Sequence, residues 1–301
     1  MFAHTLIILS DFALILLGLV LGRAWPQAYS KPFWVGAEKL VYYVLFPALL
    51  FGAINGAAFD LRSDALMLSV AVSVLLGAAA AGFGGRWLFR PADDVFAASV
   101  QTAFRYNSYI GLALAQSLFG ARGVALLALI VSVCVPLANV IAVWALARHA
   151  QRGLWRELAA NPLILATLGG LLTNLAGWTL PPLAQGFLAR LGSAALALGL
   201  LCIGAGLSLA AVQAERALLG YFSAVKLLLC PLLALALIAL TGLQGLPAQV
   251  LLLFAALPTA SSAYVLAARM GGAAAPVAFV VTLQTLAAML TLPLWLGRAT
   301  G

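Results

Sequence analysis

The chain has 301 residues, of which 65% are hydrophobic and 8% charged, with a mean hydropathy of +1.11. Soluble domains carry about a quarter charged residues, so this composition excludes a water-covered surface and describes an integral membrane protein. The net charge of +8 comes from basic residues scattered between apolar segments, which leaves no nucleic-acid-binding face.

The amino end, M-F-A-H-T, has no basic run, and the apolar stretch after it predicts a retained first span rather than a cleaved leader. Spanning segments are helices of roughly 20 largely apolar residues. On that criterion ten spans are predicted, at 4–22, 34–54, 65–88, 95–119, 123–147, 161–178, 188–211, 217–240, 248–269 and 274–297. The fold class is therefore all-α, a single membrane domain over 1–301 with short loops.

In the first span, Asp11 sits between apolar neighbours in I-L-S-D-F-A-L-I. A carboxylate inside a span is a candidate proton carrier, and the alternative is a protonated or Ser-paired residue facing a neighbouring helix. The second span begins near Glu38 and Lys39 and ends near Asn55, an interfacial placement with no assigned role.

The fourth span carries F-R-Y-N-S-Y at 104–109. Arg105 falls roughly 16 Å from the span's start by helical rise, too deep to reach an interface. An arginine there costs at least about 2.5–3.5 kcal/mol. Two readings stand, and they are compatible. Arg105 attracts an anionic substrate, with Asn107 and Ser108 orienting it and Tyr109 beside them, or its charge offsets the carboxyl ends of half-helices.

The eighth span holds Lys226, which either snorkels to the cytoplasmic interface or points inward and adds positive charge. In the ninth, Pro258 removes a backbone donor and clashes with the preceding turn. Thr259, Ser261 and Ser262 follow at once and can satisfy the freed backbone groups, which predicts an interrupted helix rather than a simple kink. The cysteines (134, 202 and 230) lie in apolar runs without metal-ligand spacing, and no metal or cofactor is expected.

Ten basic residues (Arg23, Lys31, Lys39, Arg86, Arg90, Arg148, Arg152, Arg156, Arg216, Arg269) follow odd-numbered spans, against four on the other face (Arg62, Arg122, Arg190, Arg298). The positive-inside bias then puts the odd-span loops in the cytoplasm and both termini outside. The basic connection R-H-A-Q-R-G-L-W-R-E divides the chain into halves, 1–150 and 158–301. Five spans per half make the second half an inverted copy of the first, an arrangement found in secondary transporters.

The phrase F-R-Y-N-S-Y-I-G-L-A resembles the arginine–asparagine motif of the auxin efflux carrier (PIN-like) family. Segments 191–207, 226–233 and 258–272, with the T-L-P-L tail at 291–294, are similar to that family in order and spacing. The resemblance implies a 5+5 inverted repeat in which broken helices 4 and 9 cross at the membrane centre, marked here by Asn107 and Pro258. It implies a scaffold of helices 1, 2, 6 and 7, and a transport subdomain of helices 3–5 and 8–10. It also implies a homodimer in the cytoplasmic membrane that moves a small organic anion, a carboxylate such as malonate or malate or an auxin-like one, by alternating access, with H+ or Na+ as candidate coupling ions. Many members have a proline soon after the asparagine, where this chain has Ala113. A drug/metabolite-type exporter shares the span count but not the two breaks. A non-transporting receptor is disfavoured by the short loops. An intramembrane enzyme is disfavoured because His4 and His149 lie at an end and in a loop, and Asp11 is the lone intramembrane aspartate.

Overall fold

The computed structural model describes residues 2–56, 61–146, 162–207, 215–260, 262–270 and 272–298. The predicted basic connection at 148–157 and Ser261 lie outside them. The described residues form helices and turns only, and six of the helices are long and apolar enough to cross a membrane. The chain is a multi-pass membrane protein.

In order, the helices are α1 (Phe2–Ala24), α2 (Lys31–Asn55), α3 (Leu61–Phe89), α4 (Asp93–Ser99), α5 (Ser108–Leu146), α6 (Pro162–Leu175), α7 (Pro182–Gly206), α8 (Arg216–Thr241), α9 (Gly245–Ala256), α10 (Ser262–Arg269) and α11 (Ala274–Arg298). The predicted spans 95–119 and 123–147 fall in one stretch, Asp93–Leu146, and the predicted span 248–269 is divided between α9 and α10. Gly120, at φ 65° and ψ −161°, ends one run of helix inside α5 and starts the next. The chain reverses there, because a Cβ on Gly111 would lie 3.0 Å from Leu127 Cδ2, which follows the turn.

Two helices contain a widened turn, each just before a proline. In α2, Phe46 N–H donates to Val41 O, five residues back, ahead of Pro47. In α8, Cys230 N–H donates to Val225 O ahead of Pro231. A proline ring collides with the carbonyl four residues earlier, and a π turn makes room for it. In a regular helix Leu227 O would accept from the N–H that Pro231 lacks. The indole Nε1–H of Trp295, on α11, donates to it instead at 2.9 Å.

Helix packing falls into two sets. α1 packs chiefly on α7, and the second half of α2 packs on α6 and α7. The α1–α7 contact is so close that a Cβ on Gly18 would run into Leu201 O, and one on Gly204 into Ile15 O. Small residues let membrane helices approach to backbone contact, which gains dispersion attraction where no hydrophobic drive exists. One end of the α2–α6 pair is tied by amides. Asn55 Nδ2 donates to Thr173 Oγ1 and Trp178 O, each at 2.9 Å, and Asn174 Nδ2 donates to Asn55 O at 2.8 Å. The second set is α3, α5, α8, α9 and α11, which share contacts with the segment between α4 and α5 or with each other.

Candidate functional site

Two non-helical stretches lie at the heart of the second set. The first follows α4 and a 3-10 turn at Val100–Ala103 and runs through Phe104–Asn107. The second follows α9 and begins at Leu257. They meet backbone to backbone, with Asn107 N–H donating to Pro258 O at 2.8 Å. Leu257 fits because Gly111 has no side chain; a Cβ there would come within 2.7 Å of Leu257 Cδ1.

Asn107 explains how the first break forms without a proline. Its Oδ1 accepts from the N–H groups of Tyr109 (3.1 Å) and Ile110 (3.2 Å), the second and third residues of α5. An N-cap asparagine satisfies donors that a helix start leaves open, and so fixes where α5 begins. Ser108 and Tyr109 open that helix, both half-buried. The Tyr109 ring lies on Phe46 of α2 at 4.4 Å between centroids, joining the two packing sets.

Pro258 and Thr259 occupy the second break. Thr259 Oγ1 donates to Thr102 O at 2.6 Å and, more weakly, to Arg105 O at 3.4 Å. A residue that sequence reasoning passed over completes the join. Gln284 of α11, fully buried, accepts from Thr259 N–H through Oε1 at 3.0 Å and donates through Nε2 to Thr102 O at 3.2 Å. One amide thus serves both breaks, and Thr102 O has a donor for each lone pair. The signal was available, since Gln284 is a lone amide inside an apolar span, but nothing in sequence links position 284 to 102.

Gln284→Leu would leave the buried Thr259 N–H without a partner, a cost of about 1–3 kcal/mol, and would take one of two donors from Thr102 O. The expected result is a clear drop in the melting temperature of the purified protein, read by thermal unfolding in detergent. An unchanged melting temperature would deny the amide its bridging role.

The two intramembrane cations are placed differently. Lys226, 3% exposed, donates from Nζ to Ala255 O at 3.2 Å, in the last turn of α9. A cation there meets the negative end of a helix and one of its open carbonyls. The widened turn of α8 carries Lys226, so the proline after it helps to aim the ammonium inward. Arg105, 9% exposed, has Nη1 on Gln101 Oε1 at 3.2 Å and Nη2 on Ser262 Oγ at 3.1 Å. Ser262 is the first residue of α10 and is exposed. The guanidinium therefore lies at the positive amino end of a half-helix. Its hydrogen-bond partners among the described residues are neutral, with no carboxylate beside it.

Of the sequence-predicted residues, Arg105, Asn107, Ser108, Pro258, Thr259 and Ser262 gather at the two breaks, with Tyr109 beside them. Lys226 reaches the same region from α8. Asp11 lies apart, accepting from Ser117 Oγ at 3.1 Å. A cavity of about 360 Å³ among Arg86, Trp87, Arg90 and Pro91, at the end of α3, lies outside this group.

Residues 146–296 match the family described as Membrane transport protein. Over 290 residues the chain is 26% identical to the "Putative malonate transporter" of Rhizobium meliloti (strain 1021), an alignment covering 88% of this chain and 86% of that protein.

Proposed function

Because the chain belongs to the membrane transport protein family, that of the auxin efflux carriers, we infer that it is a secondary transporter carrying a small organic anion across the cytoplasmic membrane. The observation that carries this reading is the contrast between its two buried cations. The carboxyl end of α9 already has Lys226, and carbonyls of the 3-10 turn after α4, Thr102 O and Ala103 O, take their donors from Thr259, Gln284 and Cys230. Arg105 is not spent on either; its charge stands at the amino end of α10 beside an exposed serine. Two positive features converging on one spot favour a negatively charged ligand. A carboxylate matches a planar guanidinium with two parallel hydrogen bonds.

In this reading α1, α2, α6 and α7 form the scaffold of an inverted repeat, and the remaining helices carry the site between two access states. The packing supports it. Exchange of the halves turns the α1–α7 contact into the α6–α2 contact, and the break before α5 into the break after α9. Both termini then face outward, and a homodimer is the working unit. Ser108 and Tyr109 border the ligand from α5, and Ser262 does so from α10, with Ser261 beside it in sequence.

The test is uptake by liposomes containing the purified protein. Radiolabelled malonate should enter saturably, and other small carboxylates should compete while neutral and cationic metabolites do not. Uptake of neutral or cationic metabolites with no carboxylate uptake would overturn the anion reading.

A further inference from the structure

α1 carries one carboxylate along its apolar length, Asp11, and α5 meets it with the Ser117 hydroxyl at 3.1 Å. The first residue belongs to the scaffold and the second to the part that the transport reading sets in motion, so the role inferred for this pair rests on that reading. Ser117 lies on the same run of helix as the cap residue Asn107, roughly 15 Å along it by helical rise. A displacement of the crossing therefore displaces Ser117 as well.

The chemistry of the pair depends on one proton. An ionised carboxylate can only accept, and the serine hydroxyl is its donor. Sliding α5 past α1 removes that donor and strands a charge at an apolar seam, which is strongly unfavourable. A protonated carboxyl carries no charge and has a donor of its own, so the seam can part at little cost. Asp11 is half-buried and Ser117 exposed, so the pair is not sealed inside the protein.

The other helices packed on α1 bring no counter-charge to this point. α7 carries Arg190 and Cys202, α5 carries Tyr109, Arg122 and Cys134, and α11 has no titratable residue before Arg298. None of those with described side chains forms an ion pair or hydrogen bond with Asp11. On α1 itself the remaining titratable residues are His4, two turns earlier, and Arg23 near the far end. Glu38 of α2 lies within electrostatic reach of Tyr109 and Cys202.

We propose that Asp11 is a proton-binding site that couples transport to pH: ionised, it holds α5 to α1 through Ser117, and on taking a proton from water it releases α5. The proton adds to a carboxylate oxygen on one side of the membrane and leaves for water on the other, so no further reactant is needed.

The test uses the full-length protein in liposomes with malonate as probe, with and without an imposed pH difference. One proton per anion makes the accumulation ratio change about tenfold per pH unit. The wild-type protein should follow that slope, and Asp11→Asn should bring the ratio with and without the gradient to one. Ser117→Ala removes the donor that holds the ionised state, so it should carry malonate with a weakened gradient response.

Melting profiles against pH, without malonate, form the second arm. The wild-type profile should contain a titration step that Asp11→Asn lacks. Superimposable melting profiles, or a gradient response retained in Asp11→Asn, would overturn the proposal. Wild-type protein that carries malonate with no response to the gradient would overturn it too. Absence of any carboxylate uptake by the wild-type protein would instead remove the anion reading, and the melting comparison would still decide whether Asp11 binds a proton.

Discussion

Arg105→Ala should lower carboxylate uptake roughly 10- to 100-fold, the equivalent of losing a hydrogen-bonded charge contact of about 1.5–3 kcal/mol. The fall should appear without loss of stability. The guanidinium is nine-tenths buried, and its partners, Gln101 and Ser262, are neutral. A charge held in that way raises the energy of the folded protein, and removing it relieves the cost. A melting temperature equal to or above that of the wild-type protein, together with failed uptake, is the signature of a residue kept for its ligand. Arg105→Lys should fall between the two, since it restores the charge but not the two-pronged geometry. Normal uptake by Arg105→Ala would take the arginine out of the site. A variant that loses uptake and melts much earlier would make Arg105 a structural tie between Gln101 and α10.

Gly204→Ala should cripple the protein through the α1–α7 contact instead. Its new methyl group would be driven into Ile15 O, and Gly18→Ala would meet Leu201 O in the mirror-image collision. Backbone cannot rotate aside as a side chain can, so α1 and α7 would have to separate along their whole contact. Overpacking a tight core costs typically about 1–3 kcal/mol and more where backbone must shift. We expect a fall of several degrees in melting temperature and poor uptake. Gly186→Ala, on the same helix but with open space around the position, should behave as the wild-type protein. Equal stability of Gly204→Ala and Gly186→Ala would show that the α1–α7 contact can loosen without harm.

Much of this was legible in the sequence because lipid simplifies the rules. Apolar runs and their punctuation predicted where helices lie, and Pro258 predicted the break at α9. The first break was harder, since its cause is a side-chain cap. Asn107 announces it only when Tyr109 and Ile110 are recognised as the start of a new helix. The reversal at Gly120 falls between the predicted spans 95–119 and 123–147, although nothing in F-G-A-R-G singles out which glycine makes it. What could not be read was partnership across distance. The choice open to Lys226, interface or interior, depended on a widened turn set by Pro231, and on an open carbonyl at Ala255 that belongs to another helix. Gln284 is the clearest case. It sits in V-T-L-Q-T-L, which names no partner for it, and both of its partners sit in segments far away along the chain.

The bond from the Trp295 indole to Leu227 O also constrains the order in which the protein can change. Proline at 231 and tryptophan at 295 form one unit, in which the second supplies the donor that the first withholds. Loss of the tryptophan alone exposes an unanswered carbonyl in the membrane interior. Loss of the proline first returns the donor to its own helix, after which position 295 need only fill its place in the core and no longer has to donate. Descendants of this sequence thus have one open mutational path between the two states and one closed, although the residues stand 64 positions apart.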